Sequence, residues 1–178
     1  MSKVIIFPTD TVYGIGTPIF DINGIKRIYS IKNRPFDKPL ACLCSDIKQI
    51  DSIAYLNDKA RMLIDKFLPG PLTIILKCKQ EVFNKIGYET IGVRIPNNEI
   101  ALNILNENGP MLTTSVNDSG SIPLNEYDMI VKKYNKLVDY IYNTNTKSSN
   151  ISSTVIMCID DEITLLREGE IKFKDLNV

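Results

Sequence analysis

The sequence predicts one α/β domain built on a twisted sheet of mixed strand direction. Three observations carry that expectation. Short β-branched runs alternate along the chain with segments of three- and four-residue apolar spacing, so strands and helices are interleaved. The chain has 178 residues, 44% of them hydrophobic, which suits a single domain (1–178) with a core that needs no disulfide staples. No repeat and no low-complexity linker divides it.

Taken in order, Lys3–Phe7 (KVIIF) reads as a buried strand stopped by Pro8. From Asp21, a plausible N-cap, Ile22, Ile25, Ile28, Tyr29 and Lys32 follow helical spacing. That helix must end near Asn33, because Arg34 precedes Pro35 and is pushed out of the helical region. Leu40–Cys44 is the next strand. Asn57–Phe67 carries a helical stripe (Ala60, Leu63, Ile64, Phe67) and stops at Pro69-Gly70-Pro71. Leu72–Leu76 and Thr90–Ile95 read as strands, Asn97–Leu105 as a helix, and Met111–Ser115 as a strand. Tyr127–Tyr134 is a short helix and Leu137–Tyr142 a strand. Residues 143–152 (NTNTKSSNIS) are polar without periodicity, a flexible loop. Ser153–Ile159 and Glu162–Arg167 are paired strands.

Composition removes several classes of function. Lys plus Arg equals Asp plus Glu at 21 each, so net charge gives no long-range attraction to nucleic acid or anionic membrane. The chain has no histidine, which excludes a Ser-His-Asp triad and a zinc-hydrolase site. Cys42, Cys44, Cys78 and Cys158 form no C-x-x-C pair and read as small buried hydrophobes in a reducing compartment. The opening MSKVIIFPTD is too short an apolar run for a signal peptide, and no run approaches the ~20 apolar residues of a membrane span. A cytoplasmic protein is expected.

Four segments place hydroxyls, glycines or cations at strand ends, where α/β sheets hold ligands. They are PTDTVYGIG (8–16), KNRPFDKPL (32–40), TTSVNDSG (113–120), and ISSTV (151–155) with LLREGE (165–170). Each has a plain reading: an N-cap, a basic surface turn, a turn, an edge strand. Arg94 is harder to dismiss, since it sits between Val93 and Ile95 in an apolar strand. Such a cation either snorkels to water or is held by an anion. Arg167, after Leu165 and Leu166, raises the same question. Together they suggest a cavity for an anion such as phosphate, though the chain has neither a Walker A sequence nor a dinucleotide fingerprint.

The order PTDTVYGIG, K-x-R-P-x-x-K-P-L, PGPLT (69–73), VRIP (93–96), TSVN-x-SG, STV and LREG resembles the YrdC-like family of threonylcarbamoyl-AMP synthases. The similarity runs from about Phe7 to Gly169 and to the single-domain form of that family. It implies an open twisted mixed sheet with flanking helices around a deep basic cavity. The implied reaction joins L-threonine, bicarbonate or CO2, and ATP with Mg2+ into threonylcarbamoyl-AMP and pyrophosphate. Other proteins then transfer the threonylcarbamoyl group to tRNA.

The resemblance also implies roles, position by position. Lys32 and Arg34 would be the catalytic cations. Arg34, Lys38, Thr90, Ser115, Asn117 and Arg167 would hold ATP, and Thr11, Tyr13, Arg94, Thr113 and Ser153 would hold L-threonine. No protein metal ligands are implied. Three places depart from many relatives: Leu43 stands where they have histidine, Met157 where they have aspartate, and NTNTKSSN lacks their glycines. Two further readings compete. One is a tRNA- or double-stranded-RNA-binding module making weak tRNA contact, against which zero net charge and the lack of an aromatic stacking array speak. The other is a same-fold paralogue of altered activity; one such branch departs from the R-P-x-x-K-P-L pattern that this chain keeps.

Overall fold

The computed structural model describes residues 2–144, 148–160 and 162–176. Local capping sets the first helix. The Asp21 carboxylate accepts from the Gly24 N–H, opening α1 (Ile22–Lys32), and Asn33 closes it in the left-handed region at φ +49°. The same logic starts α2 (Ile47–Ile53) on Asp46, α3 (Asp58–Phe67) on Asn57 and α5 (Glu99–Asn108) on Asn98. The remaining helices are α4 (Gln80–Ile86) and α6 (Tyr127–Tyr134).

The strands are β1 (Ile5–Phe7), β2 (Gly14–Pro18), β3 (Ala41–Leu43), β4 (Leu72–Lys77), β5 (Thr90–Arg94), β6 (Met111–Ser115), β7 (Tyr140–Ile141), β8 (Thr154–Ile159) and β9 (Glu162–Arg167). They form one sheet in the order β7-β1-β2-β6-β3-β5-β4-β8-β9. The pairs β1–β7, β3–β5 and β4–β8 are parallel and the other neighbours antiparallel, so the mixed α/β sheet expected from the sequence is the observed one.

Four elements depart from the sequence expectation. Residues 14–18 form β2, not a glycine loop: Gly14 pairs with Ser115 and Gly16 with Thr113. A Cβ at either glycine would meet Thr113 at 2.7 Å, so the glycines leave room for that side chain within the sheet. Helices α2 and α4 are present where no element was expected. The Leu137–Tyr142 strand shrinks to β7, because the N–H groups of Leu137 and Val138 turn back to the Tyr134 carbonyl at the end of α6.

Alternation along the strands divides the two faces of the sheet. Ile6, Ile15, Cys42, Ile74, Val93, Leu112 and Ile156 pack with α1, α2, α3, α4 and α6 in the main core. On the other face, Ile5, Phe7, Leu43 and Met111 pack with Ala101, Ile104 and Leu105 of α5, and Ile100 and Tyr142 rest against that cluster. One helix cannot cover a nine-stranded sheet, and the rest of that face is left for a cavity.

Candidate active site

The cavity measures about 340 Å3. Its floor is made by alternate residues of adjacent strands: Leu43 of β3, Thr73 and Ile75 of β4, Thr90, Gly92 and Arg94 of β5, Thr113 and Ser115 of β6. Gly14 of β2, Val155 of β8 and Arg167 of β9 complete it, so every strand except the edge pair β7 and β1 contributes. Functional side chains therefore stand along strand faces as well as at strand ends.

Of the residues singled out in the sequence, Thr11, Tyr13, Arg34, Thr90, Arg94, Thr113, Ser115, Ser153 and Arg167 line this one cavity. Lys32, Lys38 and Asn117 are not part of the lining.

Arg94 is 6% exposed, and its alternative is resolved in favour of the anion. Its Nη2 donates to Asp10 Oδ1 at 2.6 Å, Nη1 to Thr11 Oγ1 at 2.9 Å, and Nε to the Gly70 carbonyl at 2.9 Å. Burial lowers the guanidinium pKa, and the adjoining Asp10 opposes that shift. Thr9 spends its hydroxyl proton on the Val12 carbonyl at 2.6 Å, so Thr11 is the donor in the 3.1 Å Thr9–Thr11 contact. Two guanidinium protons of Arg94 stay uncommitted at the cavity wall. Asp10 was passed over in the sequence; the signal for it was a lone carboxylate between two hydroxyls in PTDT.

Arg167 donates through Nε and Nη2 to the Ser153 carbonyl at 3.2 and 2.8 Å. The Ser153 hydroxyl in turn meets Thr73 Oγ1 at 2.9 Å. This junction depends on Gly169, where a Cβ would fall 2.1 Å from the Ser152 carbonyl oxygen. The Gly169 N–H donates to Thr154 Oγ1, and the Glu170 N–H to the Ser152 carbonyl. Within 143–152, residues 145–147 lie outside the described residues. Ser149 and Asn150 are tied by their N–H groups to the Asp10 and Thr11 carbonyls, so this part of the expected flexible loop is pinned beside the cavity.

Arg34 donates through Nε to the Lys38 carbonyl at 2.9 Å and through Nη2 to the Pro39 carbonyl at 3.0 Å. Lys38 thus serves through its backbone, and its side chain is exposed. Lys32, expected beside Arg34 as a catalytic cation, is turned away from the cavity. Its side chain is 1% exposed, and Nζ donates to the Ser115 carbonyl and, at 2.7 Å each, to Asn117 O and Oδ1. Lysine carries three protons, and here three oxygens take them. Burial, aided by the Arg34 charge, brings its pKa down to about 8. Asn117 is held as firmly, accepting from Ser115 Oγ at 2.8 Å and donating to the Ser121 carbonyl at 2.5 Å.

Arg34, Arg94 and Arg167 bring three guanidiniums to the cavity, and no Asp or Glu among the described residues lines it. Among the described residues, neither Arg34 nor Arg167 has a carboxylate partner. No group of three or more His, Cys, Asp or Glu among them is placed to hold a metal ion.

The Sua5/YciO/YrdC family model, described as telomere recombination, matches residues 1–169. A Methanocaldococcus jannaschii protein, provisionally named threonylcarbamoyl-AMP synthase, is 40% identical across 98% of this chain and 84% of its own length. The threonylcarbamoyl-AMP synthase of Bacillus subtilis is 34% identical across 96% of this chain and 51% of its own. The crystal structure of Pyrococcus abyssi Sua5 complexed with L-threonine superposes with a TM-score of 0.89 at 31% identity, over 98% of this chain and 52% of that one. Escherichia coli YciO superposes at 0.88 and 31% identity, over 99% and 87%. The chain thus spans about half the length of the Bacillus and Pyrococcus proteins and most of the other two.

Proposed function

The chain belongs to the Sua5/YciO/YrdC family, and from that premise we propose that it makes threonylcarbamoyl-AMP and pyrophosphate from L-threonine, bicarbonate or CO2, and ATP. The observation that carries this reading is the cavity itself, with three guanidiniums, a ring of hydroxyls and no lining carboxylate. Arg34 and Arg167 stand at the cavity without a carboxylate partner among the described residues; two such cations favour a polyanion, and a triphosphate supplies one.

The chemistry needs no protein nucleophile and no histidine. The threonine amine, once deprotonated, attacks CO2 to give a carbamate. A carbamate oxygen then attacks the α-phosphorus, and the bond to the pyrophosphate oxygen breaks. The protein's part is to position the reactants and to neutralise charge on the transferring group. Arg34 and Arg167 take that part toward the phosphates, with Thr90 and Ser115 beside them. Lys32 and Asn117 act from behind the wall, fixing the backbone that carries Ser115. The free protons of Arg94 suit the threonine carboxylate, with Thr11, Tyr13, Thr113 and Ser153 around it. A Mg2+ ion fits this lining only as a partner of phosphate oxygens and water, since the protein offers hydroxyls and no carboxylate cluster. Held so, it would offset triphosphate charge.

The product is an activated acyl adenylate, and proteins that transfer the threonylcarbamoyl group to tRNA would consume it. The buried thiols of Cys42, Cys44, Cys78 and Cys158 suit a reducing compartment, which supports placing the chain in the cytoplasm. Among the described residues no helix is long and apolar enough to cross a membrane.

The test is pyrophosphate release by the purified protein with ATP, Mg2+, L-threonine and bicarbonate. Release that depends on threonine, and that Arg34→Ala abolishes, is expected. Release that ignores threonine, or none, overturns the reading; a shift of bare tRNA at physiological salt would favour an RNA-binding module instead.

A further inference from the structure

Arg34 reaches the cavity from a corner with little packing to hold it. Residues 35–39 are all exposed, and Phe36, the one large apolar side chain among them, is 63% exposed. Behind the corner lies an apolar hollow of about 190 Å3, lined by Tyr29, Phe36, Pro39 and Tyr88. A segment so poorly buried falls at the low end of local stability unless specific bonds pin it.

Two phenols supply those bonds. Tyr29 OH donates to the Lys38 carbonyl at 2.9 Å, and Tyr88 OH donates to the Phe36 carbonyl at 3.0 Å. The two phenol oxygens approach to 3.4 Å, so the two braces also touch each other. The Tyr29 ring also stacks on Phe36, with centroids 4.6 Å apart. The Lys38 carbonyl that takes the Tyr29 proton is the one that takes Arg34 Nε–H. The brace and the guanidinium therefore share an atom.

We infer that Tyr88, with Tyr29, is a positioning residue for Arg34, holding the 36–39 corner so that the guanidinium meets the phosphates of ATP. Tyr88 lies outside every motif that the sequence displays, and it precedes β5 by two residues, beside the cavity residue Thr90. The inference rests on the reading that this cavity takes ATP.

The test is calorimetric binding of ATP with Mg2+, and of L-threonine, to wild type and Tyr88→Phe, each alone and with Arg34→Ala. Loss of one brace is expected to raise the ATP Kd about three- to tenfold. The threonine Kd should not move, and Tyr88→Phe should add nothing in the Arg34→Ala background, as for residues acting through one group. Chymotryptic cleavage after Phe36 should also quicken in Tyr88→Phe relative to other sites, a ratio that general loosening of the fold would leave unchanged. An unchanged ATP Kd, an equal loss in the Arg34→Ala background, or an unchanged cleavage ratio overturns the inference. A wild type that binds no ATP overturns the synthase reading instead, and the cleavage ratio then decides whether the brace exists.

Discussion

Arg94 and Asp10, 84 residues apart, meet at 2.6 Å in the cavity wall, and their side chains are only 7% and 17% exposed. The contact gives the buried guanidinium its counter-charge. The pair carries the N-terminal loop to β5 and keeps part of the guanidinium free for a ligand.

Asp10→Ala is therefore expected to cost about 3 kcal/mol, because it leaves a buried guanidinium without its counter-charge. Urea unfolding gives the measurement. A loss below about 0.5 kcal/mol, the range of an ordinary surface change, would show that the pair is solvated in solution.

Gly169→Ala is expected to cut turnover on the order of tenfold to a hundredfold, by displacing backbone on which the site depends. The new Cβ would lie 2.1 Å from Ser152 O and 2.6 Å from Ser153 C, so the fault falls on backbone and not on a side chain that can rotate away. Steady-state kinetics with threonine varied should show it. Full activity would mean that the Arg167–Ser153 junction is not needed.

Lys32 makes a prediction with a defined sign. Its pKa falls from the ordinary lysine value of 10.5 to about 8 in the folded protein, through burial first and the Arg34 charge next, with Lys133 adding to the fall and Asp118 opposing it. Between those values the unfolded chain binds more protons than the folded one, so this group's contribution to stability rises with pH across that window. Wild type should gain on Lys32→Met from pH 8 to pH 10.5 in thermal midpoint. A gap that closes over that range would mean that folding raises this pKa.

Much of the fold was legible because capping and periodicity are local. Asp21 and Asn33 bound α1 as their side chains and positions suggest, and Tyr127–Tyr134 is helical over its full expected length. Helices α2 and α4 span Ile47–Ile53 and Gln80–Ile86, too short for a 3.6-residue period to show, and they persist through packing of Ile50, Ile53 and Val82. Strand β2 hid because GIGTP has the composition of a turn; it pairs with both β1 and β6, and its glycines leave the space that Thr113 fills.

Nine of the twelve residues singled out in the sequence meet in one cavity, while Lys32, Lys38 and Asn117 stand outside its lining. Lys32 and Arg34 look like one cationic pair in K-x-R. Lys32 is the last residue of α1 and Arg34 lies beyond it, with Asn33 in the left-handed region turning the chain between them. One therefore points to the Ser115–Asn117 carbonyls and the other to the cavity. Asp10 and Tyr88 were invisible for a related reason: their partners Arg94 and Phe36 are remote in sequence, and only the fold brings them together.

Because the cavity floor draws on every strand from β2 across to β9, a bound molecule is a cross-link between the two ends of the polypeptide. Occupancy then acts on global cooperativity, not on a local patch: the first loop and the last strand gain from the same ligand. At a hundredfold excess over its Kd, such a ligand stabilises the folded chain by about 2.7 kcal/mol. Melting of the whole molecule thus reports a binding event at its centre, and a nascent chain lacking β9 has no such event to gain from.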